Sequence, residues 1–367
     1  MARVKKQTDY RTQRLVEINQ QIDEIEKELP SSVRDFIRAV STTTTPLTRL
    51  AYVYDLRTFF FFLKAECPEF ADVKPNQMTT EHFNLLTQRQ LEIYQDYLRQ
   101  YVRPDYDGDT DGAAAQDEQV MIQNHEIGIA RKLSSLRAFF KYLYTHDMIR
   151  ENVTEKVVMP KIRKKPIIFL ERDEINRMFD ALEDGEGLTK HQKAYLENTR
   201  IRDRAIITLL LGTGIRSSEL VGLNKDDLDL DNNAFVVTRK GGNQAILYYN
   251  DQVKEALADY LAVRDEVTPV EGHEDALFLS TQRKRISPRA LQDLVKKYAK
   301  VGAPLKKVSV HKMRSTFGTS LYRETGDIYL VASALGHADV NTTKAHYAAE
   351  NEEKRRQASR NVTWLPQ

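Results

Sequence analysis

The sequence predicts a mainly α-helical protein with a small antiparallel β-sheet, built as two domains. Three observations carry that expectation. Apolar residues recur every three or four positions through most of the 367 residues, the spacing that gives a helix one buried face. Only Ala234–Arg239 and Gln244–Tyr249 read as strands, joined by Lys240-Gly-Gly-Asn243 in the manner of a hairpin. Between Met159 and Pro166 the chain turns basic and is bracketed by prolines, a composition that suits an extended linker. The expected organisation is a helical domain over 1–159 with an acidic insertion at 104–123, a linker at 160–166, and a second, mixed domain over 167–367 with a tail at 350–367.

The elements follow in chain order. Leu15, Ile18, Ile22, Ile25 and Leu29 predict an amphipathic helix over 12–29. Pro30 and two serines then mark a new helix start near Ser32. A Thr-rich loop leads into an apolar helix over 46–66 that includes Phe59 to Phe62. One amphipathic helix is expected over 80–102 and another from about Asn124 to Tyr144, so that residues 1–150 look all-helical. Between them, Asp107-Gly-Asp-Thr-Asp-Gly112 and Glu118 have the spacing of a calcium-binding EF-hand loop. Ala114 stands where such loops carry a larger apolar anchor, and Pro104 disturbs the entering helix. A plain acidic loop is the preferred reading. Beyond the linker, helices are expected at 171–182, 201–211, 251–264, 287–300, 309–323 and 327–335, with Tyr347 in a final helix.

Charge and composition narrow the function classes. The net charge of +2 does not by itself announce a nucleic-acid binder. Its distribution is more telling: residues 1–160 hold 21 basic and 24 acidic residues, but six of the acids lie between Asp105 and Glu118. Residues 161–367 hold 34 against 29, so one acidic loop masks a mildly basic remainder. The longest apolar runs, such as Ala205 to Leu211, are too short to span a bilayer. The polar N-terminus lacks the apolar stretch of a secretion signal. A single cysteine, Cys67, excludes an intrachain disulfide framework and a Cys-based metal cluster. A cytoplasmic, nucleoid-associated protein without membrane contact is the expectation.

No phosphate-cradling Gly-rich loop, His-Glu-x-x-His zinc motif or strand-bounded Gly-x-Gly-x-x-Gly is present. What the chain offers is an ordered set of polar residues at marked places. Arg216 follows Gly212-Thr-Gly214 and opens a helix that continues Ser-Ser-Glu219-Leu. Lys240 lies at the hairpin tip. His311 and Arg314 are three apart and share a helical face. Gly336-His337 ends an apolar run, and Tyr347 lies ten residues further on. Each alone has an ordinary structural explanation, as a surface cation, a helix-face pair or a core tyrosine. Their joint order does not.

The set resembles the tyrosine recombinase family, and within it the Xer-like and phage or transposon integrases. The matching words are Gly212-Thr-Gly-Ile-Arg216-Ser-Ser-Glu219-Leu-Val-Gly-Leu223, Arg239-Lys240-Gly-Gly-Asn243, Ser309-Val-His311-Lys-Met-Arg314-Ser-Thr-Phe317, and Leu335-Gly-His337-Ala-Asp339 through Thr342-Thr343 to Tyr347. Residues 167–350 resemble the family closely and 40–150 more loosely. The resemblance implies a two-domain DNA clamp that cuts and rejoins double-stranded DNA at specific recombination sites. It implies Tyr347 as nucleophile, Arg216 and Arg314 as phosphate ligands, and His311 as proton acceptor. Lys240 would be the proton donor to the departing 5′ oxygen, with His337 on the phosphate or the tyrosine and Glu219 in support. No metal or other cofactor is implied. A homotetramer on DNA is expected, joined through exchange of C-terminal tails anchored by Trp364, with room for accessory proteins.

Arg131, Lys132, Arg137 and Lys141 on the 124–144 helix, and Lys161, Arg163, Lys164 and Lys165 in the linker, are the candidate backbone-phosphate contacts. One departure stands out. Many Xer-like members place the tyrosine nine residues after the Leu-Gly-His histidine, where this chain has His346 and then Tyr347. A catalytically silent DNA-binding regulator and a DNA-relaxing type IB topoisomerase are the competing readings. Chromosome-dimer resolution and mobile-element integration both remain open, with the N-terminal helix and acidic insertion favouring the latter.

Overall fold

The structure is a computed structural model that describes residues 10–102, 120–163, 167–239, 242–336, 339–341, 343 and 344. The chain divides into two compact units, Met1–Lys164 and Lys165–Gln367.

The N-terminal unit contains α1 (Tyr10–Glu26), α2 (Ser31–Ala39), α3 (Pro46–Glu66), α4 (Thr80–Phe83), α5 (Gln88–Tyr97), β1 (Gln100–Val102), β2 (Met121–Gln123) and α6 (Glu126–Thr145). Helix α3 begins where Thr45 accepts the Thr48 N–H and Pro46 supplies the first helical turn, a position where proline costs no hydrogen bond. Its Phe59, Phe60 and Phe62 are fully buried, and each contributes about 1.5–3 kcal/mol of burial energy. They meet α6 edge to face: Phe59 with Phe140 at 6.2 Å and 86°, Phe60 with Phe139 at 6.0 Å and 82°. Helix α1 packs on α3 through Ile18, Ile22 and Ile25, whereas Leu15 remains exposed.

The single helix expected over 80–102 is three elements. Thr79 and His82 close one N-terminal turn, and Thr87 with Gln90 closes another. Each hydroxyl or side-chain acceptor competes with continuation of the preceding helix. The run then ends in β1, which pairs antiparallel with β2 through Gln100↔Gln123, Tyr101↔Ile122 and Val102↔Met121. The first 150 residues are therefore not all-helical. This short ladder brackets residues 103–119, so the acidic insertion and its EF-hand-like spacing lie outside the described residues.

The C-terminal unit contains α7 (Arg172–Glu183), α8 (Lys190–Thr213), α9 (Ser217–Gly222), β3 (Leu228–Asp229), β4 (Ala234–Thr238), β5 (Gln244–Tyr248), α10 (Asp251–Glu266), α11 (Pro288–Gly302), α12 (Val310–Thr325) and α13 (Ile328–Leu335). Helix α8 is the central element and packs against α7, α10 and α12. It is twice the length read from its apolar half, because Thr189 and Gln192 close a capping box at its polar start. The sheet is antiparallel, in the order β3-β4-β5. The Arg239 N–H bonds the Asn243 carbonyl at 2.7 Å beyond the last strand pair, Thr238↔Gln244, and so closes the hairpin.

The two units each bury one aspartate among cations. Asp55 on α3 accepts from Arg131 (2.5 and 2.8 Å), Lys132 (3.2 Å) and Ser135 (2.7 Å) on α6. Asp203 on α8 accepts from Arg202 (2.7 Å), Lys297 (2.8 Å) and Tyr298 (2.8 Å). Burial pushes the Tyr298 hydroxyl far above its ordinary pKa, and the Asp203 charge adds to the effect. It therefore stays a neutral donor. No helix among the described residues is long and apolar enough to cross a membrane.

Candidate active site

The site grows from two helix C-termini and the buried side of a third helix. Helix α8 closes on Gly214 with φ of 61°, a left-handed conformation that glycine adopts without strain. A Cβ at Gly214 would lie 2.5 Å from the Phe317 ring of α12, so that crossing also needs the missing side chain. Helix α13 ends in the same way on Gly336 with φ of 59°. Helix α12 carries Arg314 on its buried side.

These ends are joined by guanidinium groups. Arg314, 5% exposed, donates Nη1 to the Gly214 carbonyl at 2.6 Å and Nη2 to the Leu335 carbonyl. Arg216 donates Nη2 to the Gly336 carbonyl at 3.0 Å and Nη1 to Glu219 at 2.8 Å. The other Glu219 oxygen accepts the Arg216 backbone N–H at 3.0 Å. The Glu219 side chain is 5% exposed, and that of Arg216 34% exposed. Glu219 is thus a buried carboxylate that fixes both the start of α9 and the direction of the Arg216 fork. Of the five N–H donors on a guanidinium, these two side-chain bonds leave Arg216 able to meet an anion on its open side.

Two arginines 98 positions apart in sequence therefore grip consecutive carbonyls of one turn, Leu335 and Gly336. A third guanidinium joins them. Arg239, the last residue before the hairpin tip, lies so close to Gly336 that a Cβ there would overlap it, with Nη2 only 2.7 Å away. Its role was not evident from sequence, where it reads as one more basic residue in a turn. His311 is exposed on the first turn of α12, one turn before Arg314. Lys240, His337 and Tyr347 lie outside the described residues, as do His346 and Trp364.

The candidate DNA contacts of the N-terminal unit lie in two kinds of environment. Lys132 is buried against Asp55. Arg137 bonds the Thr154 carbonyl at 3.2 Å and the Val157 carbonyl, which closes the C-terminal end of the unit. Both are polar-face residues by sequence and structural by contact. Arg131 holds Asp55 yet keeps half its side chain exposed. Lys141, Lys161 and Arg163 are exposed, and Lys164 and Lys165 lie outside the described residues. Among the described residues, no group of three or more His, Cys, Asp or Glu is placed to hold a metal ion.

Residues 168–354, about half the chain, match the Phage integrase family. The chain belongs to that family. It is a tyrosine site-specific recombinase, an enzyme of DNA strand transfer. A tyrosine recombinase XerC of Caldanaerobacter subterraneus subsp. tengcongensis is 33% identical over 342 residues, covering 90% of this chain and 87% of the relative. That of Thermodesulfovibrio yellowstonii is 34% identical over 232 residues, covering 62% and 73%. The fold is shared with solved recombinases. A lambda integrase dimer bound to a core site aligns at TM-score 0.58 and 14% identity over 86% of this chain and 94% of that one. The Tn1549 transposon integrase in complex with circular intermediate DNA aligns at 0.56 and 20%, over 86% and 94%. The mainly helical architecture with small antiparallel sheets, expected from sequence, is therefore that of the recombinase structures.

Proposed function

We propose that this recombinase cleaves and rejoins DNA without a metal ion, through a 3′-phosphotyrosyl bond to Tyr347, within a homotetramer that pairs two recombination sites. The observation that carries the reading is the convergence of Arg216 and Arg314 on the Leu335-Gly336 turn. That turn leads directly into His337 and, ten residues later, Tyr347.

The chemistry follows from charge. In-line attack on a phosphodiester builds negative charge on the non-bridging oxygens. Two guanidiniums held by backbone carbonyls present positive charge there without reorganisation, a task that metal ions perform in other enzymes. A tyrosine hydroxyl, with an ordinary pKa of about 10, needs such cations and an acceptor for its proton. His311 takes that proton. Lys240 donates one to the departing 5′ oxygen. His337 bonds the phosphate or orients the tyrosine, and Glu219 holds Arg216. The phosphotyrosyl bond conserves the energy of the broken phosphodiester, so a 5′ hydroxyl from another strand reverses the step and no nucleotide cofactor is consumed.

The N-terminal unit serves as the other half of a clamp on duplex DNA, with Arg131, Lys141 and the linker cations Lys161, Arg163, Lys164 and Lys165 on backbone phosphates. The tail at 350–367 joins protomers through Trp364. The enzyme works in the cytoplasm on the nucleoid, in chromosome-dimer resolution or mobile-element integration and excision, with accessory proteins where the site requires them.

The test is covalent capture. Nicked duplexes of random sequence are incubated with the full chain, and the adducts are sequenced on the DNA side and mapped on the protein side. A 3′-phosphate linkage on Tyr347, absent in Tyr347→Phe, is expected without added metal and in the presence of a chelator. An adduct on another tyrosine, or on His346, overturns the assignment. Relaxation of supercoiled plasmid by monomers at scattered sites would favour a topoisomerase instead.

A further inference from the structure

We propose that Arg239 is a positioning residue for strand cleavage. Its guanidinium seats the root of the β4–β5 hairpin on the Gly336 turn and so determines where the next residue, Lys240, delivers its proton. This rests on the reading of Lys240 as proton donor given above.

Four observations meet at this contact. The hairpin root is closed by paired backbone bonds, Arg239 N–H to Asn243 O at 2.7 Å and Gly242 N–H to Arg239 O at 3.1 Å, which fix the backbone on both sides of the tip. The Arg239 side chain then leaves the sheet and packs on Gly336, where only a glycine leaves room for it. The turn it packs on is the one whose carbonyls hold Arg216 and Arg314. Finally, the Arg239 Nε is buried with no hydrogen-bond partner among the described residues. A buried N–H left unpaired is destabilising, which marks this side chain as held in place and not as a solvated surface cation.

Phe235, Val237 and Leu247 bury the body of the hairpin, so the alignment at issue is that of its root. Its outer strand is exposed at Gln244, Ile246 and Tyr248, and Gly242 adopts φ of 89° with nothing within 4 Å of a built Cβ. A lysine on such a tip has a long, flexible stem. General-acid catalysis needs the donor within hydrogen-bond reach of the leaving oxygen. Arg239, the residue next to the lysine in sequence, is fixed on the Gly336 turn.

The experiment compares two leaving groups. A nicked duplex obtained by the covalent capture described above is resynthesised with sulfur replacing the bridging 5′ oxygen at the cleaved step. A thiolate leaves without protonation, so any defect that acts through the general acid disappears on this substrate. Cleavage is measured for the wild type, Arg239→Ala, Arg239→Lys and Lys240→Ala, all as full-length chains.

We expect Arg239→Ala to slow cleavage of the oxygen substrate by about 10- to 100-fold, a part of the range general-acid catalysis spans. It should cleave the sulfur substrate within about 3-fold of wild type, as Lys240→Ala should. Arg239→Lys keeps the charge but lacks the planar fork, and should recover only part of the rate. The ratio of the two substrates within one variant is insensitive to a partly unfolded preparation. Equal losses on both substrates would mean that Arg239 supports the fold or contacts the phosphate directly, and would overturn the proposal, as would no loss on either. A Lys240→Ala defect that sulfur does not relieve overturns the proton-donor reading itself, and an absence of adduct with wild type overturns the function on which both rest.

Discussion

Two groups of cations, one on α6 of the N-terminal unit and one around the Gly336 turn of the C-terminal unit, are used differently. On α6 of the N-terminal unit, Lys132 and Arg137 belong to what the sequence presents as a basic helix face, yet one is turned onto buried Asp55 and the other onto the carbonyls of Thr154 and Val157. In the C-terminal unit, Arg216, Arg239 and Arg314 come from three separate elements and meet at one two-residue turn. The first group is spread along a helix and serves packing. The second is gathered from afar around backbone carbonyls, with Glu219 as the carboxylate on Arg216. The difference teaches that proximity along the chain is poor evidence for a phosphate site, whereas convergence from distant elements is good evidence.

That contrast can be broken most forcefully at Asp55. Asp55→Ala strands the buried Lys132 ammonium and removes the acceptor of both Arg131 Nη groups. We expect the N-terminal unit to lose about 3–5 kcal/mol, the cost of removing one partner of a buried charge pair. Urea unfolding followed by hydrogen exchange in α3 and α6 measures it. Retention of full stability would mean that these cations are not structural. Arg216→Lys probes the opposite pole. It keeps the charge but loses the fork between Glu219 and Gly336, and should cut the rate of covalent adduct formation by about 10²–10³-fold with little change in melting temperature. A comparable loss of stability would place Arg216 with the structural cations instead.

Arg137→Ala gives an intermediate effect. Two buried carbonyls lose their donor, which costs about 1–3 kcal/mol. The salt dependence of DNA binding should not change, whereas Lys141→Ala should lower that slope by about one unit if Lys141 meets a phosphate. The smallest effect is at Glu26 of α1. Burial raises its pKa above the ordinary value, with Arg34 only partly offsetting the shift. The folded state therefore binds the proton more tightly than the unfolded one. That contribution is complete below the unfolded pKa of 4.5 and disappears as pH rises through the higher folded value. Glu26→Gln should then match or exceed wild-type stability at pH 7, by less than about 1 kcal/mol, and the advantage should shrink as pH falls to 4. A variant less stable than wild type at pH 7 would show that the ion pair with Arg34 outweighs burial.

Much of this was legible in the order of residues. The helical periodicities of α1, α3 and α6 and the hairpin could each be read locally, because a helix face and a Gly-rich turn each leave a short-range signature. The break of 80–102 into α4, α5 and β1 was partly hidden, since amphipathic spacing continues across it. The hydroxyls of Thr79 and Thr87 and the pairing of β1 with a strand 20 residues further on interrupt it. Polar Lys190 to Arg200 hid the first half of α8 for a similar reason, as its stability comes from a cap and from packing rather than from periodicity.

By itself the sequence determined most of the helices and the hairpin, and put forward the candidate chemistry of Arg216, Lys240, His311, Arg314, His337 and Tyr347, because identity, order and local spacing are properties of the chain. Only the tertiary structure decided which cations are committed. Whether Lys132 faces water or Asp55, and whether Arg239 is a turn residue or a brace on Gly336, depends on contacts between elements 77 and 97 residues apart. Such contacts arise from the packing of whole helices and sheets. A buried charge takes whichever partner that packing brings within reach, and no local pattern encodes the choice.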